Sequence, residues 1–140
     1  MRVFLDLNVL LDVLLARPKL DLESEAVLLR CDTLGAEIFI AWHSLATAYY
    51  LLRRGRTEAE ALLEIDRILD WASIATTDDQ SARRARHLGF RDFEDALQAV
   101  AAETCGANVI VTRNITDFAL AKVKSQSPAN FLRSHSAPNN

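Results

Sequence analysis

FLDLNVLLD, residues 4–12, joins two kinds of periodicity across a single acid. Val3, Phe4 and Leu5 make an unbroken apolar run, the pattern of a short strand buried on both faces. Beyond Asp6, the apolar residues Val9, Leu10, Val13 and Leu14 fall at helical spacing. The stretch therefore reads as a strand running straight into a helix, with a carboxylate at the junction. Burying a charge there is unfavourable unless something at that end of the strand uses it.

Working outward, strand-like runs recur at EIFIA (37–41), a weak SIA (73–75) and NVIVT (108–112). Helical spacing fills the intervals: Leu62, Ile65, Leu69 and Ala72 are expected to share one face, and Phe93, Ala96, Leu97, Val100 and Ala101 another. Alternation of short, nearly all-apolar strands with helices predicts an α/β domain whose parallel sheet is covered on both faces. Gly35, Gly55, Gly89 and Gly106 each follow a helical stretch, where a left-handed closing residue is expected. The sequence has no repeats, no low-complexity linker and no composition break. It reads as one domain over residues 1–132, followed by a polar tail at 133–140 that is expected to fray.

Half of the 140 residues are hydrophobic, enough for a core that needs no disulfide or metal staple. No apolar run is long enough to span a membrane, and Arg2 followed by an acid at position 6 does not read as a secretory signal. Cys31 and Cys105 lie in apolar helical patterns without CxxC spacing, so buried free thiols and a reducing cytoplasm are expected. The formal charge of −3 excludes a generic polyanion binder with a basic bulk surface. RRGR (53–56) and ARRAR (82–86) are local basic clusters, readable as solvated helix surface or as phosphate contacts beside an acidic site.

In sheets of this kind ligands bind outside the carboxyl ends of the strands, which is where Asp6 falls. Two further segments are expected at that rim. In FRDFEDALQAV (90–100), Asp92 and Asp95 are three apart at a helix start and share one strip. NVIVTRNITDF (108–118) delivers Thr112, Arg113, Asn114 and Asp117 into the loop after a strand. Each segment also has a plain structural reading, with Asp92 as an N-cap, Glu94 and Asp95 as first-turn acids, and Asn114 or Thr116 capping a short helix. Taken together, Asp6, Asp92, Asp95 and Asp117 bring carboxylates from three distant segments to one rim. Two such charges 4 Å apart repel by roughly 4 kcal/mol at an effective dielectric near 20, so a cation or bound protons must join them. An all-oxygen donor set suits Mg²⁺ or Mn²⁺ rather than zinc. The chemistry implied is metal-dependent hydrolysis of a phosphodiester.

FLDLNVLLD near the start, DFEDALQA before an apolar helix, TRNITDF after the last core strand and SPANFL near the end together resemble the PIN domain family over residues 2–132. The resemblance implies a three-layer α/β/α sandwich around a central parallel sheet. It also implies a Mg²⁺- or Mn²⁺-dependent endoribonuclease acting on RNA, commonly a homodimer and often the VapC-type toxin held by an antitoxin protein. Carried over by position, Asp6 is the first metal ligand with Asn8 beside it, Asp95 the central acid and Asp117 the last. Asp92 matches a further acidic position, Asn114 a supporting polar one, and Thr112 a contact to substrate or ligand.

One position departs from the pattern. The family usually carries a glutamate in the helix after the second strand, and in HSLATAYYLLRR (43–54) Tyr50 stands there, or Tyr49 if the register slips. A protonated phenol is a poor Mg²⁺ ligand, though it can donate a hydrogen bond to phosphate or stack on a base. Alternatively, a tyrosine simply packs in the strip Leu45, Ala48, Tyr49 and Leu52. The departure keeps open a catalytically weak binding module of the same fold. A phosphotransferase of the haloacid-dehalogenase type is disfavoured, because Asn8 stands where that chemistry needs a second aspartate. Asp12 reads as solvated or arginine-paired, and His43 as a surface or core hydrogen-bonding residue close to the rim.

Overall fold

The computed structural model describes residues 1–136. Among them, β1 (Arg2–Leu5), β2 (Glu37–Ala41), β3 (Ala72–Ala75), β4 (Val109–Val111) and β5 (Ser125–Gln126) form one sheet in the order β3-β2-β1-β4-β5. Every pairing is parallel, with Phe4 opposite Phe39 on one side and Ile110 on the other.

Residues alternate between faces along each strand, as the pleat requires. Val3, Leu5, Ile38, Ile40, Val109 and Val111 face one core, which they share with Val9, Leu10, Val27, Ile68 and Phe131. Phe4, Phe39, Ala41 and Ile110 face the other, with Ala99, Ala102, Cys105 and Phe118. The first core is roofed by α1 (Leu7–Leu14), α2 (Leu20–Leu34), α3 (Trp42–Leu52), α4 (Glu58–Trp71) and α7 (Pro128–Ser134). The second is roofed by α6 (Phe93–Thr104), with α5 (Asp79–Arg86) packed on it through Ala85, Ala96 and Val100. The three-layer α/β/α sandwich is thus the architecture observed. Both cysteines are buried free thiols, and burial pushes the Cys31 thiol up to about 11.

Several expectations need correcting. The strand β5 was not foreseen; at two residues, with polar side chains, it lacks any apolar run to mark it. On α4 the buried stripe is Ala61 and Ile68 with Ile65 beside it, whereas Leu62 and Leu69 are about half exposed. That helix offers two interleaved apolar stripes one residue apart, and only docking selects between them. Phe93, assigned to the buried face of α6, is 51% exposed at the helix's first turn. The segment read as a polar tail begins inside α7, which runs to Ser134; residues 137–140 lie outside the described residues. No helix among the described residues is long and apolar enough to cross a membrane.

Candidate active site at the switch point of the sheet

The chain lays β2 and then β3 on one side of β1 before crossing to place β4 on the other. The switch in direction leaves a crevice outside the carboxyl ends of β1 and β4, the position at which parallel α/β sheets bind ligands. Asp6 ends β1 there and Thr112 follows β4, so the two segments of greatest sequence separation meet side by side. The backbone N–H of Asp6 donates to the Val111 carbonyl at 3.0 Å, and Thr112 Oγ1 donates to Asp6 Oδ2 at 2.7 Å.

Asp6 is 1% exposed, and burial raises its carboxyl above the ordinary range. Hydrogen bonds from Thr112 and Gln98 and the backbone N–H of Asn8 oppose that shift, while the Glu94 charge adds to it. Gln98 is the hub. Its Oε1 accepts from the Leu7 N–H at 2.9 Å; its Nε2 donates to Asp6 Oδ1 at 2.9 Å and to Glu94 Oε2 at 2.8 Å. One buried amide therefore ties the end of β1, the start of α1 and an acid on α6 together.

The N-terminus of α6 supplies the rest. Asp92 Oδ1 accepts from the N–H groups of Glu94 (2.8 Å) and Asp95 (3.2 Å), the capping role expected of an aspartate at that place. Carboxylate oxygens of Asp92, Glu94 and Asp95 lie within 4.8 Å of one another. Asp92 and Asp95 also line a cleft of about 210 Å³ whose far wall carries Thr116 and Asp117 from the turn after β4. Burial, then the charges of Glu94, Asp92, Asp6 and Asp117, push the Asp95 carboxyl up to about 7. The charges of all four neighbouring acids thus bear on this one group. Asp6 stands behind the cleft rather than in its wall, and lies outside the tight trio.

An oxygen-only donor set of this density fits a hard divalent cation, which would relieve the repulsion among these carboxylates. Cysteine takes no part, and the one nearby imidazole nitrogen, His43 Nε2, lies 3.5 Å from Glu94 Oε1 without a hydrogen-bond partner.

Other residues singled out by sequence fall into place individually. Asn114 precedes the 3₁₀ turn Ile115–Phe118 and donates its N–H to Thr112 Oγ1 at 3.0 Å; its side chain makes no capping bond. Asp12 is fully buried rather than solvated. Arg113 grips it with Nε on Oδ2 at 2.8 Å and Nη2 on Oδ1 at 3.0 Å, and Ser24 adds a third bond at 3.1 Å. That fork fastens the loop carrying Asn114 and Asp117 to α1. Tyr50 is 71% exposed, rests edge-on against Tyr49 at 5.6 Å between ring centroids, and is not part of the cleft wall. RRGR follows the last residue of α3, about 16 Å along the helix axis from its start, and is not among the residues lining the cleft.

Glu94 and Gln98 were not foreseen as site residues. Their signal was present: a glutamine inside the apolar run ALQAVAA, one turn after a glutamate, is the kind of buried polar group that demands partners.

The fold matches solved chains over nearly their whole length. VapBC2 from Rickettsia felis, bound to a DNA fragment from its promoter, superposes with a TM-score of 0.72 at 17% identity, covering 91% of this chain and 98% of that one. VapBC-1 from nontypeable Haemophilus influenzae gives 0.71 at 13% identity, covering 92% and 99%. FitAcB from Neisseria gonorrhoeae gives 0.61 at 17% identity, covering 91% and 98%. Sequence comparison with curated proteins finds no match. A family model described as PIN domain matches residues 2–116, from the first residue of β1 through the turn that leads to Asp117. With the trio of acidic segments, the switch-point crevice and that match in agreement, the chain belongs to the PIN domain family.

Proposed function

We propose that this protein is a Mg²⁺- or Mn²⁺-dependent endoribonuclease that hydrolyses RNA phosphodiester bonds, acting as the toxin of a type II toxin–antitoxin pair. The observation that carries the reading is the convergence of acids on Asp95, whose carboxyl is pushed up to about 7 by burial and four carboxylates. Asp6, Asp92, Asp95 and Asp117 would hold the ion, with Glu94 as an added acid in reach. Bound Mg²⁺ or Mn²⁺ makes a coordinated water more acidic and neutralises charge developing on the phosphoryl oxygens.

The chain's own groups do the positioning. Thr112 and Gln98 fix the two Asp6 oxygens, so that carboxylate cannot rotate away. Asn8 lies in the first turn of α1, two residues after Asp6, and Asn114 precedes the turn that carries Asp117, which lines the far wall. Glu94 stands in for the acid absent at Tyr50, which serves as an exposed stacking or hydrogen-bonding surface on α3. An antitoxin partner accompanies this reading, supported by the resemblance of the fold to VapBC structures; a homodimer and a cytoplasmic setting are further parts of the proposal.

Purified protein freed of any antitoxin is expected to cleave single-stranded RNA in Mn²⁺ or Mg²⁺, to lose activity in excess chelator, and to slow by at least about 100-fold as Asp95→Asn. Cleavage that persists in chelator rules the reading out. Tyr50 favours a second reading, a PIN-fold module that binds nucleic acid or protein without turnover. RNA binding with no cleavage in Mn²⁺ across varied sequences would select it.

A further inference from the structure

The acid cleft continues into a second groove along the seam between α5 and α6. The groove encloses about 520 Å³, shares Gly89, Phe90 and Arg91 with the cleft, and adds Arg86, Phe93 and Ala96. Two of its features are unused by the fold. Phe93 opens α6 between Asp92 and Glu94, yet it leaves half its surface in water while Ala96, Val100 and Ala101 of the same helix are buried. On α5, Arg83 and Arg84 pair with Asp79 and Glu103; Arg86, and Arg91 in the loop before α6, have no carboxylate partner among the described residues.

We propose that this groove is the path of a single-stranded RNA, with a base stacked on Phe93 and phosphates held by Arg86 and Arg91 beside the acids. The proposal rests on the nuclease reading above and adds where the strand lies. A polyanion approaching five carboxylates on a chain of net charge −3 is repelled unless cations stand next to them. Arg91 borders the acid cleft and Arg86 lies one step further along, so the phosphates that follow the one presented to the acids meet positive charge. An aromatic face accepts any base, because every base has a π-face, but only a base that has left its stack can reach it. The groove therefore selects single strands over duplexes.

The test is anisotropy of a short fluorescent single-stranded RNA, measured in an Asp95→Asn background so that nothing turns over. Phe93→Ala is expected to weaken binding by about 5- to 150-fold, the range for losing one stacked base, and Phe93→Trp to restore it. Replacing Arg86 and Arg91 together by Ala is expected to flatten the slope of log affinity against log salt by about 1.4, two phosphate contacts at about 0.7 each. In the otherwise wild-type protein, Phe93→Ala is expected to keep its thermal shift with Mn²⁺ alone, which shows that the fold and the acids are intact. Unchanged RNA affinity and salt slope in these variants overturn the proposal while leaving the nuclease reading standing if the wild type cleaves. Equal affinity of the parent for duplex RNA also overturns it, as does loss of a protein partner from Phe93→Ala with RNA binding intact. A wild type that neither cleaves nor binds RNA removes the nuclease reading, and the proposal falls with it.

Discussion

Asp95 holds its proton into the neutral range first because the carboxyl is partly buried, and then because removing the proton would add one more negative charge beside Glu94, Asp92, Asp6 and Asp117. A carboxyl raised in the folded state binds its proton where the unfolded chain has already released it. Between about pH 4, the ordinary range for aspartate, and about 7, stability therefore falls as pH rises. In chelator, Asp95→Asn is expected to lessen that slope, the part left coming from the raised Asp6 carboxyl. The variant should exceed the wild type by roughly 1 kcal/mol at pH 8, a figure reduced for the water that screens this partly exposed group, and match it below about pH 4. Urea melts across that range measure it; a wild type equally stable at pH 4 and 8 contradicts the crowding of charge at this residue.

At the scale of elements, α6 is the part that organises the site. It is buried nearly all round, with Ala96, Ala99, Val100, Ala101 and Ala102 against the sheet and α5, and its one buried polar residue is Gln98. The Gln98 amide holds the first turn of α1 through the Leu7 N–H and the end of β1 through Asp6, so α1, β1 and α6 are locked in one arrangement. Gln98→Leu keeps nearly the same volume but leaves a backbone N–H and a buried carboxylate without their partner. Such orphaned groups cost about 1–3 kcal/mol each, more for a charge, against less than about 1.5 kcal/mol for a volume-conserving apolar swap. A loss near 3 kcal/mol in chemical denaturation is expected, together with weakened Mn²⁺ affinity because Asp6 is no longer held.

The whole molecule is a parallel sheet that gathers acids at one edge. A cation that binds only the folded state adds RT ln(1 + [L]/Kd), about 2.7 kcal/mol at a hundredfold excess over Kd. For a chain of this size that corresponds to roughly 10 °C in Tm. Mn²⁺ is expected to raise the Tm of the wild type by an amount of this order and that of Asp6→Asn far less. Equal shifts in the two proteins would remove Asp6 from the site. Because both cysteines are free, reductant should leave either melt unchanged.

Much of this architecture could be read from the chain because its local signals are consistent. The nearly all-apolar runs at 3–5, 37–41 and 108–112 alternate with helical spacing, and the helices are closed by glycines such as Gly35 and Gly106, both left-handed in the structure. The ordered acids at 6, 92, 95 and 117 mark the rim because a parallel sheet brings the carboxyl ends of its strands to one edge. Tertiary structure decided what those signals leave degenerate. Side-chain volume and spacing allow either of two apolar stripes on α4, and docking on the sheet chose Ala61 and Ile68. Two polar residues become β5 only because β4 offers them an edge. Local pattern likewise cannot tell a solvated carboxylate from one buried under an arginine fork, as Asp12 proved to be, nor an exposed Phe93 from a core one. Periodicity reports which residues share a face; which face is covered, and which buried charges find partners, depends on segments a hundred residues apart meeting in space.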